Sequence, residues 1–462
     1  MSHVDKTRFA INTLTSVYPK LVTATTLVFI IKQRAYLAAA FQLSFRPSER
    51  LQLGEIAPPR TPDGRRDGRW EAWRRHGPDT RWTGLRWREP GLSVIRALEG
   101  ADLPAVAGMF QRVLRKERTE APASLIEYMR RFYLEAPGCG GDLRSLVHVN
   151  DAGRVSGFVG VHALPMQFNG RQLHAAICSS LMVEDHERDP MAGARLLKAY
   201  LDGPQDISFS ETANDISARL WTRLRGVVLP QYSLDWVRVM RPSSFVLSLS
   251  ASRLKLARML NPFAHAIDRF YCRRMKSSER RWSGVAPDGA GHGALRTSEI
   301  DSGTFAKLVE PLTAQFVLRP EWAEGQLDHI LADAAQKPEM GELVFVSVTS
   351  PVGTNVGAFA YHARKDEIGR VLQILALPGQ AGSVIDCLID HAAVRGVSGL
   401  RGRIQPALLE AMLGRRIAFL TVASTVVHSR DPELLDAMKN SQAFLNGLAG
   451  EQWSRLIGGR FT

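Results

Sequence analysis

The sequence predicts an α/β fold with mixed α+β sheets, built as two similar units in tandem. At about 150 residues per domain, the length of 462 residues suggests two to four domains. Hydrophobic residues make up 45% and charged residues 23% of the chain, which argues against disorder, collagen-like repeats and a polytopic membrane protein. In each half, predicted antiparallel hairpins come first, and alternating strands and helices follow.

The positive charge is concentrated in two segments. The formal net charge is +13. Residues 1–90 carry 16 Lys and Arg against 8 Asp and Glu, and residues 252–282 carry 9 against 2, so the rest of the chain is near neutral. Either segment could contact nucleic acid or an anionic membrane. Because residues 44–91 show no periodicity, we interpret residues 1–91 as a poorly ordered basic extension.

Cysteine spacing and the lack of a targeting pattern indicate a cytoplasmic protein. The four cysteines lie far apart and form no C-x-x-C pair, so neither a disulfide framework nor a zinc site is expected. The apolar run Leu21–Ile31 has eleven residues, fewer than the roughly 18–20 that a membrane span requires. This run begins late and ends in charge, unlike a signal peptide.

The first unit, residues 92–242, begins where a regular pattern appears near Val94. Asp102 is a predicted helix N-cap. Asn169-Gly170 is a strong hairpin signal, because both central residues of a type I′ turn need positive φ. In order, the pattern predicts a strand 93–98, helices 102–116 and 123–134, strands 146–150, 155–163 and 173–183, a helix 191–201, a strand 206–210, a helix 214–224 and a strand 233–240.

A connector, residues 243–297, contains a basic amphipathic stretch followed by a Gly-rich linker. The stretch could lie on a membrane surface, but we expect it to pack against both units.

The second unit, residues 298–462, repeats the element order of the first. It is predicted to contain helices 304–315 and 322–335, strands 342–349, 357–363 and 370–377, a helix 383–395, a strand 399–404, a helix 407–413, a strand 419–428 and a helical region 432–448.

The most informative stretch runs from Cys178 to Leu197. An apolar strand ends at Val183, a polar loop follows, and a helix opens near Pro190, where a proline suits the first helical position. A strand, loop and helix in this order bring unpaired backbone N–H groups and the positive end of a helix dipole to one point. Such a point binds phosphate or pyrophosphate.

The stretch resembles the acyl-CoA binding segment of the GCN5-related N-acetyltransferase (GNAT) superfamily, V-x-P-x-x-(Q/R)-x-x-G-x-(G/A). Arg188 takes the Gln/Arg position and Gly193 the last glycine position, whereas Met191 replaces the first glycine and Asp185 the proline. The downstream family pattern N-x-x-A-x-x-L-Y matches in part at Asn214 and Trp221. The resemblance covers residues 93–241, and it extends to 298–462 by element order alone.

This resemblance implies an acyl-CoA-dependent N-acyltransferase that uses acetyl-CoA or another acyl-CoA and no metal. The pantetheine arm would lie where the fourth and fifth strands part, and an amine on a small molecule or peptide would attack the thioester directly. The residues implied to contact the acyl-CoA are Met182, Val183, Arg188, Asp189, Met191, Ala192, Gly193, Ala194, Asn214 and Trp221.

Several residues are candidates for proton transfer in this chemistry. Glu211, at the end of the fifth strand, is the first choice for the base, because partial desolvation would raise its pKa. Glu184 and Asp185, at the end of the fourth strand, are the second choice. Trp221 stands where the family often has a tyrosine that protonates the leaving thiolate. Either another acid such as Tyr232 or Tyr200 serves instead, or the thiolate leaves unassisted.

The corresponding loop of the second unit, Leu377–Ser383, has no Arg or Gln at the motif spacing. This unit is therefore interpreted as a degenerate GNAT-like domain. Two other functions remain open. Paired GNAT-like domains also occur in Fem-like transferases that use aminoacyl-tRNA, although Arg188 and Gly193 at acyl-CoA spacing favour CoA. Alternatively, the chain is a non-catalytic GNAT-like binding protein.

Overall fold

The computed structural model describes residues 93–137, 141–184, 186–251, 268 and 295–462. The predicted basic extension, residues 1–91, and most of the predicted connector, residues 243–297, lie outside the described residues. Gly91–Thr462 forms one compact unit.

The predicted elements of the first half occur in the predicted order, but the predicted strand 155–163 extends to Phe168. A two-residue strand at 227–228 and a helix at 242–251 were not predicted. Helices α1 and α2 each continue into a wider π-type turn, through Arg115 and Glu135 respectively. The elements are β1 (Val94–Ala97), α1 (Leu103–Met109), α2 (Ala123–Arg130), β2 (Leu146–Val149), β3 (Val155–Phe168), β4 (Arg171–Val183), α3 (Ala192–Leu201), β5 (Ile207–Ala213), α4 (Asp215–Arg223), β6 (Val227–Val228), β7 (Leu234–Val239) and α5 (Pro242–Ala251).

The second half adds strands that the pattern did not predict. A short strand precedes its first helix, another lies between its first two helices, and the predicted strand 419–428 is two strands. The elements are β8 (Arg296–Ile300), α6 (Ser302–Thr313), β9 (Leu318–Pro320), α7 (Gln326–Ala335), β10 (Glu342–Thr349), β11 (Asn355–Ala363), β12 (Ile368–Ala376), α8 (Ala381–Val394), β13 (Gly399–Arg403), α9 (Leu409–Met412), β14 (Ala418–Thr421), β15 (Ser424–Ser429) and α10 (Pro432–Lys439).

The predicted turn between β3 and β4 has the expected geometry. Asn169 has φ +50° and Gly170 has φ +83°, as a type I′ turn requires. The two strands pair from Gly157–Val183 down to Phe168–Arg171, which makes this hairpin the longest antiparallel ladder among the described residues. The residues of this turn therefore set the register of β4, the strand that leads into the loop and helix of the stretch Cys178–Leu197.

The two mixed sheets exchange strands. The first sheet has the order β1-β2-β3-β4-β5-β15-β6, with β9 paired to the end of β3. The second sheet has the order β14-β7-β13-β12-β11-β10-β8. Strand β7, predicted to complete the first unit, thus pairs with β13 and β14 of the second, while β15 of the second half pairs with β5 of the first.

The core reflects this exchange. One apolar cluster joins residues of both halves, with Phe158 and Tyr232 from the first and Phe305, Phe345 and Phe444 from the second. A second cluster packs α8 and Trp236 of β7 against the second sheet. A third packs α3 and α4 against the first sheet and includes Val426 of β15. In the part of the chain that the structure describes, no helix is long and apolar enough to cross a membrane.

We predict that both sheets unfold in a single cooperative transition, because each sheet is incomplete without a strand from the other half. Leu197 of α3 and Leu388 of α8 are fully buried in different clusters. Leu197→Ala and Leu388→Ala should each cost about 2–5 kcal/mol of unfolding free energy. Differential scanning calorimetry should show both substitutions lowering the same transition.

Leu420→Ala is the control, because Leu420 is 46% exposed and its truncation should leave that transition nearly unchanged. Two resolved transitions, each moved by only one of the buried substitutions, would contradict the prediction.

Candidate functional site

The parallel strands β4 and β5 separate after a short stretch of pairing. They are paired at only three positions, Ala175–Ile207, Ala176–Ser208 and Ile177–Phe209. Beyond these positions β4 keeps its pairing to β3 and β5 keeps its pairing to β15. Residues 178–183 of β4 and 210–213 of β5 therefore face an interval without strand pairing, which we name the β4–β5 gap.

A bulge in β4 lies beside this gap. Ser180 and Leu181 stand between the pairs Phe158–Met182 and Gly160–Ser179, where β3 supplies only Val159. Ser180 has φ +51°, a left-handed conformation that is uncommon for a residue other than glycine. Such a bulge interrupts the ladder and redirects the strand's backbone groups.

The hydroxyl of Tyr133 lies against the bulge. It is 3.2 Å from Ser179 Oγ, and it donates to Ser180 Oγ at 3.2 Å. Burial raises the pKa of Tyr133, so its hydroxyl remains protonated near neutral pH. Tyr133 comes from the turn after α2, and no motif in the sequence singled it out.

The N-terminus of α3 lies beyond the end of β4, as the sequence predicted. The carboxylate of Asp189 accepts a hydrogen bond from Arg195 and lies 3.6 Å from His148 Nε2. Arg195 therefore offsets the negative charge that Asp189 brings to the helix start. Arg188 and Met191 are exposed, Met191 by 59%.

Glycine is not sterically required at position 193. A Cβ built there would lie 3.6 Å from Val183 Cγ2, an ordinary van der Waals distance. Ala192 is buried, whereas Gly193 and Ala194 are half-buried in the first turn of α3. Met182 is buried and Val183 half-buried at the end of β4.

Asn214 caps a helix, and Trp221 packs against another ring in the core. The Oδ1 of Asn214 accepts from Ser217 N at 2.9 Å, so Asn214 is the N-cap of α4. Trp221 is fully buried, and its ring centroid lies 6.0 Å from that of Tyr200. The Trp221 Nε1 has no hydrogen-bond partner among the described residues. The proposed contact of both residues with acyl-CoA stays a prediction.

Glu211 is completely buried and faces the C-terminal segment. Its Oε1 accepts from the backbone N–H groups of Glu451 at 2.6 Å and Gln452 at 2.7 Å, and its Oε2 accepts from Gly447 N at 3.3 Å. Burial raises the pKa of Glu211 to about 7, and the nearby charge of Glu451 acts in the same direction. The expected direction of the pKa shift is thus confirmed, but the carboxylate already serves as a backbone acceptor.

Glu451 is the second buried carboxylate of the site, and sequence reasoning missed it. Its Oε1 accepts from Ser210 Oγ at 3.0 Å and from Thr212 Oγ1 at 2.7 Å, so it lies against β5 at the gap. Burial raises the pKa values of Glu451, Tyr133 and Cys178, and the charge of Glu451 raises the latter two further. Its negative charge therefore acts on both sides of the gap.

Two other predicted proton-transfer residues are engaged elsewhere. Glu184 accepts from Arg112 Nε at 2.6 Å at the partly exposed end of β4. Asp185 lies outside the described residues. Tyr232 is fully buried, donates to the carbonyl of Ala443 at 2.7 Å, and has a pKa raised by burial. A buried phenol that already donates to the backbone is a poor proton donor, so this geometry does not favour Tyr232 as the acid, and its role stays a prediction.

Metal ligands do not cluster in the described part of the chain. Within it, no group of three or more His, Cys, Asp and Glu residues could hold a metal ion. Cys178 and Cys387 are both buried and unpaired by disulfide.

Comparison with known proteins shows only a distant likeness between this chain and solved structures. No family model and no curated protein matches the sequence. A solved structure from Enterococcus faecalis V583, titled a conserved protein of unknown function and probable N-acyltransferase, is 9% identical over 73% of each chain, with a TM-score of 0.48.

Two further solved structures are similarly distant. A GCN5-related N-acetyltransferase from Anabaena variabilis is 10% identical over 74% of each chain, with a TM-score of 0.46. The N-myristoyltransferase of Saccharomyces cerevisiae is 10% identical over 72% of this chain and 79% of its own, with a TM-score of 0.43.

We predict that Glu211 makes the protein less stable as the pH rises from about 4.5 to about 7. The folded chain keeps the Glu211 proton in this interval because its pKa is raised from 4.5 to about 7, whereas the unfolded chain has lost it. The contribution of this proton to the free energy of unfolding is therefore fully present below pH 4.5 and lost by about pH 7. In this interval the free energy of unfolding falls by up to about 1.4 kcal/mol per pH unit.

Urea unfolding at several pH values should show a smaller slope for Glu211→Gln than for the natural chain. Some slope remains in that variant, because the pKa of Glu451 is raised as well. The exposed residue Glu117, changed to Gln, should leave the slope unaltered. Equal slopes in Glu211→Gln and the natural chain would refute the assignment.

Proposed function

We propose that this protein is an acyl-CoA-dependent N-acyltransferase, in which acetyl-CoA or another acyl-CoA is the donor and an amine is the acceptor. The observation that carries the proposal is the β4–β5 gap, which opens toward the N-terminus of α3. The amide-bearing arm of an acyl-CoA needs a free strand edge such as the one at the gap. Its pyrophosphate needs an anion site such as the N-terminus of α3.

The backbone edge of β4 supports binding of the donor's amide-bearing arm. Residues 178–183 pair with β3 on one side only, and an extended ligand can hydrogen-bond to such a free edge as an added strand would. Met182 and Val183 supply the last backbone groups of this edge. The bulge at Ser180 turns the strand near the place where the thioester would lie.

The first turn of α3 supports binding of the pyrophosphate. N–H groups at a helix N-terminus favour an anion, and the residues around this turn include Arg188 and Gly193. Asp189 does not oppose the anion strongly, because Arg195 is hydrogen-bonded to it. Exposed Met191 leaves the turn accessible from solvent.

We infer that Glu451, next to Glu211, takes the proton from the acceptor amine. The neutral amine nitrogen attacks the thioester carbonyl carbon, its N–H proton passes to the carboxylate, and the carbon–sulfur bond breaks to release the CoA thiolate. Holding the two reactants together supplies much of the rate increase. The Tyr133 hydroxyl beside the bulge would turn its hydrogen bond from Ser180 Oγ to the thioester oxygen as negative charge develops there.

Glu451 is preferred over Glu211 because of where each carboxylate faces. Both carboxylates accept backbone amides, Glu211 from the C-terminal segment and Glu451 from β5. Glu451 also accepts from the hydroxyls of Ser210 and Thr212 at the gap, and these contacts favour it as the base. The raised pKa of each brings it closer to neutrality, which suits a general base.

Donor binding is tested at equivalent positions of two helices. Gly193 and Gly382 are the second residues of α3 and α8. Gly193→Asp adds a negative charge at the proposed pyrophosphate site, so calorimetry should show at least about a tenfold loss of CoA affinity. Gly382→Asp should bind CoA as the natural chain does. The reverse pattern would place the donor in the second half.

The assignment of the base is tested by two isosteric substitutions. Glu451→Gln should lower the acyl-transfer rate by roughly a hundredfold to ten-thousandfold, with CoA affinity unchanged and partial recovery at high pH, where more of the amine is free. Glu211→Gln should have the smaller effect on the rate. If Glu211→Gln instead abolishes transfer while Glu451→Gln retains it, the base is Glu211.

A further inference from the structure

Three arginines lie next to one another on one face of the second sheet. Arg370 of β12 stands directly opposite Arg401 of β13 in the parallel pairing, and Arg403 follows two residues later on β13. Residues opposite in register, and residues two apart on one strand, share a face, and neighbouring strands lie about 4.8 Å apart. Leu400, which alternates with them, belongs to the apolar cluster of α8 on the other face. We name Arg370, Arg401 and Arg403 the arginine cluster.

A single carboxylate pairs with the cluster. Asp235 of β7 accepts from Arg401 Nε at 3.0 Å through Oδ2 and from Arg403 Nη1 at 3.1 Å through Oδ1. Because one carboxylate joins them, the guanidinium groups of Arg401 and Arg403 are held side by side. Both carboxylate oxygens are occupied, and a guanidinium keeps its charge at any ordinary pH. The group as a whole therefore has two positive charges that Asp235 does not compensate.

Arg370 is the member of the cluster without an ion pair. Among the described residues, its guanidinium donates no hydrogen bond and has no carboxylate within ion-pair distance. Burial lowers the pKa of Arg370, the charge of Arg401 lowers it further, and the charge of Asp235 offsets these effects only in part. Like charges directly opposite each other on neighbouring strands destabilise a sheet. The pair of Arg370 and Arg401 therefore has a cost that an anion would remove.

The cluster is open to a ligand on one side and fixed on the other. Arg370 is exposed and the Arg401 side chain is 30% exposed. Because Arg370 is exposed and yet partly desolvated by the protein around it, we infer that it lies in a cleft. Arg403 is only 4% exposed, and its Nη2 donates to the carbonyls of Glu211 at 2.7 Å and Ala423 at 3.1 Å. These contacts hold the base of the cluster in place before any ligand arrives.

We propose that the arginine cluster binds a small molecule that bears a phosphate monoester. A guanidinium presents its N–H groups as a planar fork, which fits phosphate oxygens two at a time. A phosphate monoester carries close to two negative charges near neutral pH, and these match the two uncompensated positive charges. A carboxylate or a phosphodiester carries only one. The inference goes beyond the proposed function, because it rests on the second sheet and requires no acyl transfer.

The probe is phenyl phosphate, and methyl phenyl phosphate, a diester with one negative charge, is its matched control. Isothermal titration calorimetry on the full chain at about pH 7.5, where the monoester is doubly charged, should show the monoester binding at least about fivefold more tightly than the diester. No binding of phenyl phosphate would overturn the proposal. Equal binding of the two probes would point to a phosphodiester such as a nucleic-acid backbone and would overturn it as well.

Two substitutions of equal charge locate the site. Arg370→Gln should weaken phenyl phosphate at least about tenfold, because it removes the charge-assisted hydrogen bonds of one guanidinium. Arg296→Gln, at an exposed position of the edge strand β8 of the same sheet, is the matched control and should bind normally. Unchanged binding in Arg370→Gln, or equal losses in both variants, would overturn the proposal.

The melting temperature without ligand separates a binding role of Arg370 from a structural one. Arg370→Gln should melt at the temperature of the natural chain or above it, because the substitution relieves the repulsion from Arg401. A melting temperature several degrees lower would show that Arg370 stabilises the fold and would overturn the assignment.

The last comparison separates the arginine cluster from the proposed donor site, because CoA carries phosphate groups too. Gly193→Asp should leave the arginine cluster's affinity for phenyl phosphate unchanged, and Arg370→Gln should leave the affinity for CoA unchanged. Loss of phenyl phosphate binding in Gly193→Asp would place the probe at α3. Loss of CoA binding in Arg370→Gln would make the cluster part of the donor site. Either result would overturn the proposal of a separate site.

Discussion

The buried carboxylate of Glu211 is the interaction on which the joining of the two halves depends. It lies on β5 of the first half, and it receives backbone N–H groups from the segment Gly447–Gln452 of the second. Gly450 passes so close that a Cβ there would lie 2.3 Å from the Glu211 carboxylate. From the other side, Lys337 donates to the carbonyl of Gln452 at 2.7 Å. These contacts explain how an irregular segment is held in the core.

Strand exchange gives the β4–β5 gap its shape. A strand that parts from one neighbour needs another neighbour to hold it, because unpaired backbone groups are costly when buried. For β5 this neighbour is β15, which comes from the second half. The first half alone therefore lacks both the strand that supports the gap and Glu451, which contributes its carboxylate. The gap therefore depends on residues of both halves.

The sequence alone determined the elements and their order, because local rules govern them. The positive φ values at Asn169 and Gly170 are a property of two adjacent residues, and the helix that begins near Pro190 follows from local capping and periodicity. The mixed α/β class and the presence of two sheets follow from that order. The raised pKa of Glu211 was also predictable, since a carboxylate beside apolar strand residues loses solvation.

Only the tertiary structure decided which strands pair and which side chains meet. A strand such as β7 or β15 has the same alternating pattern whichever sheet it joins, so the exchange could not be predicted from the sequence. Glu451 lies 240 residues from Glu211 and beyond the predicted helical region 432–448, so nothing local marked it as a site residue. Contacts between residues far apart in sequence depend on tertiary packing, and local periodicity does not determine that packing.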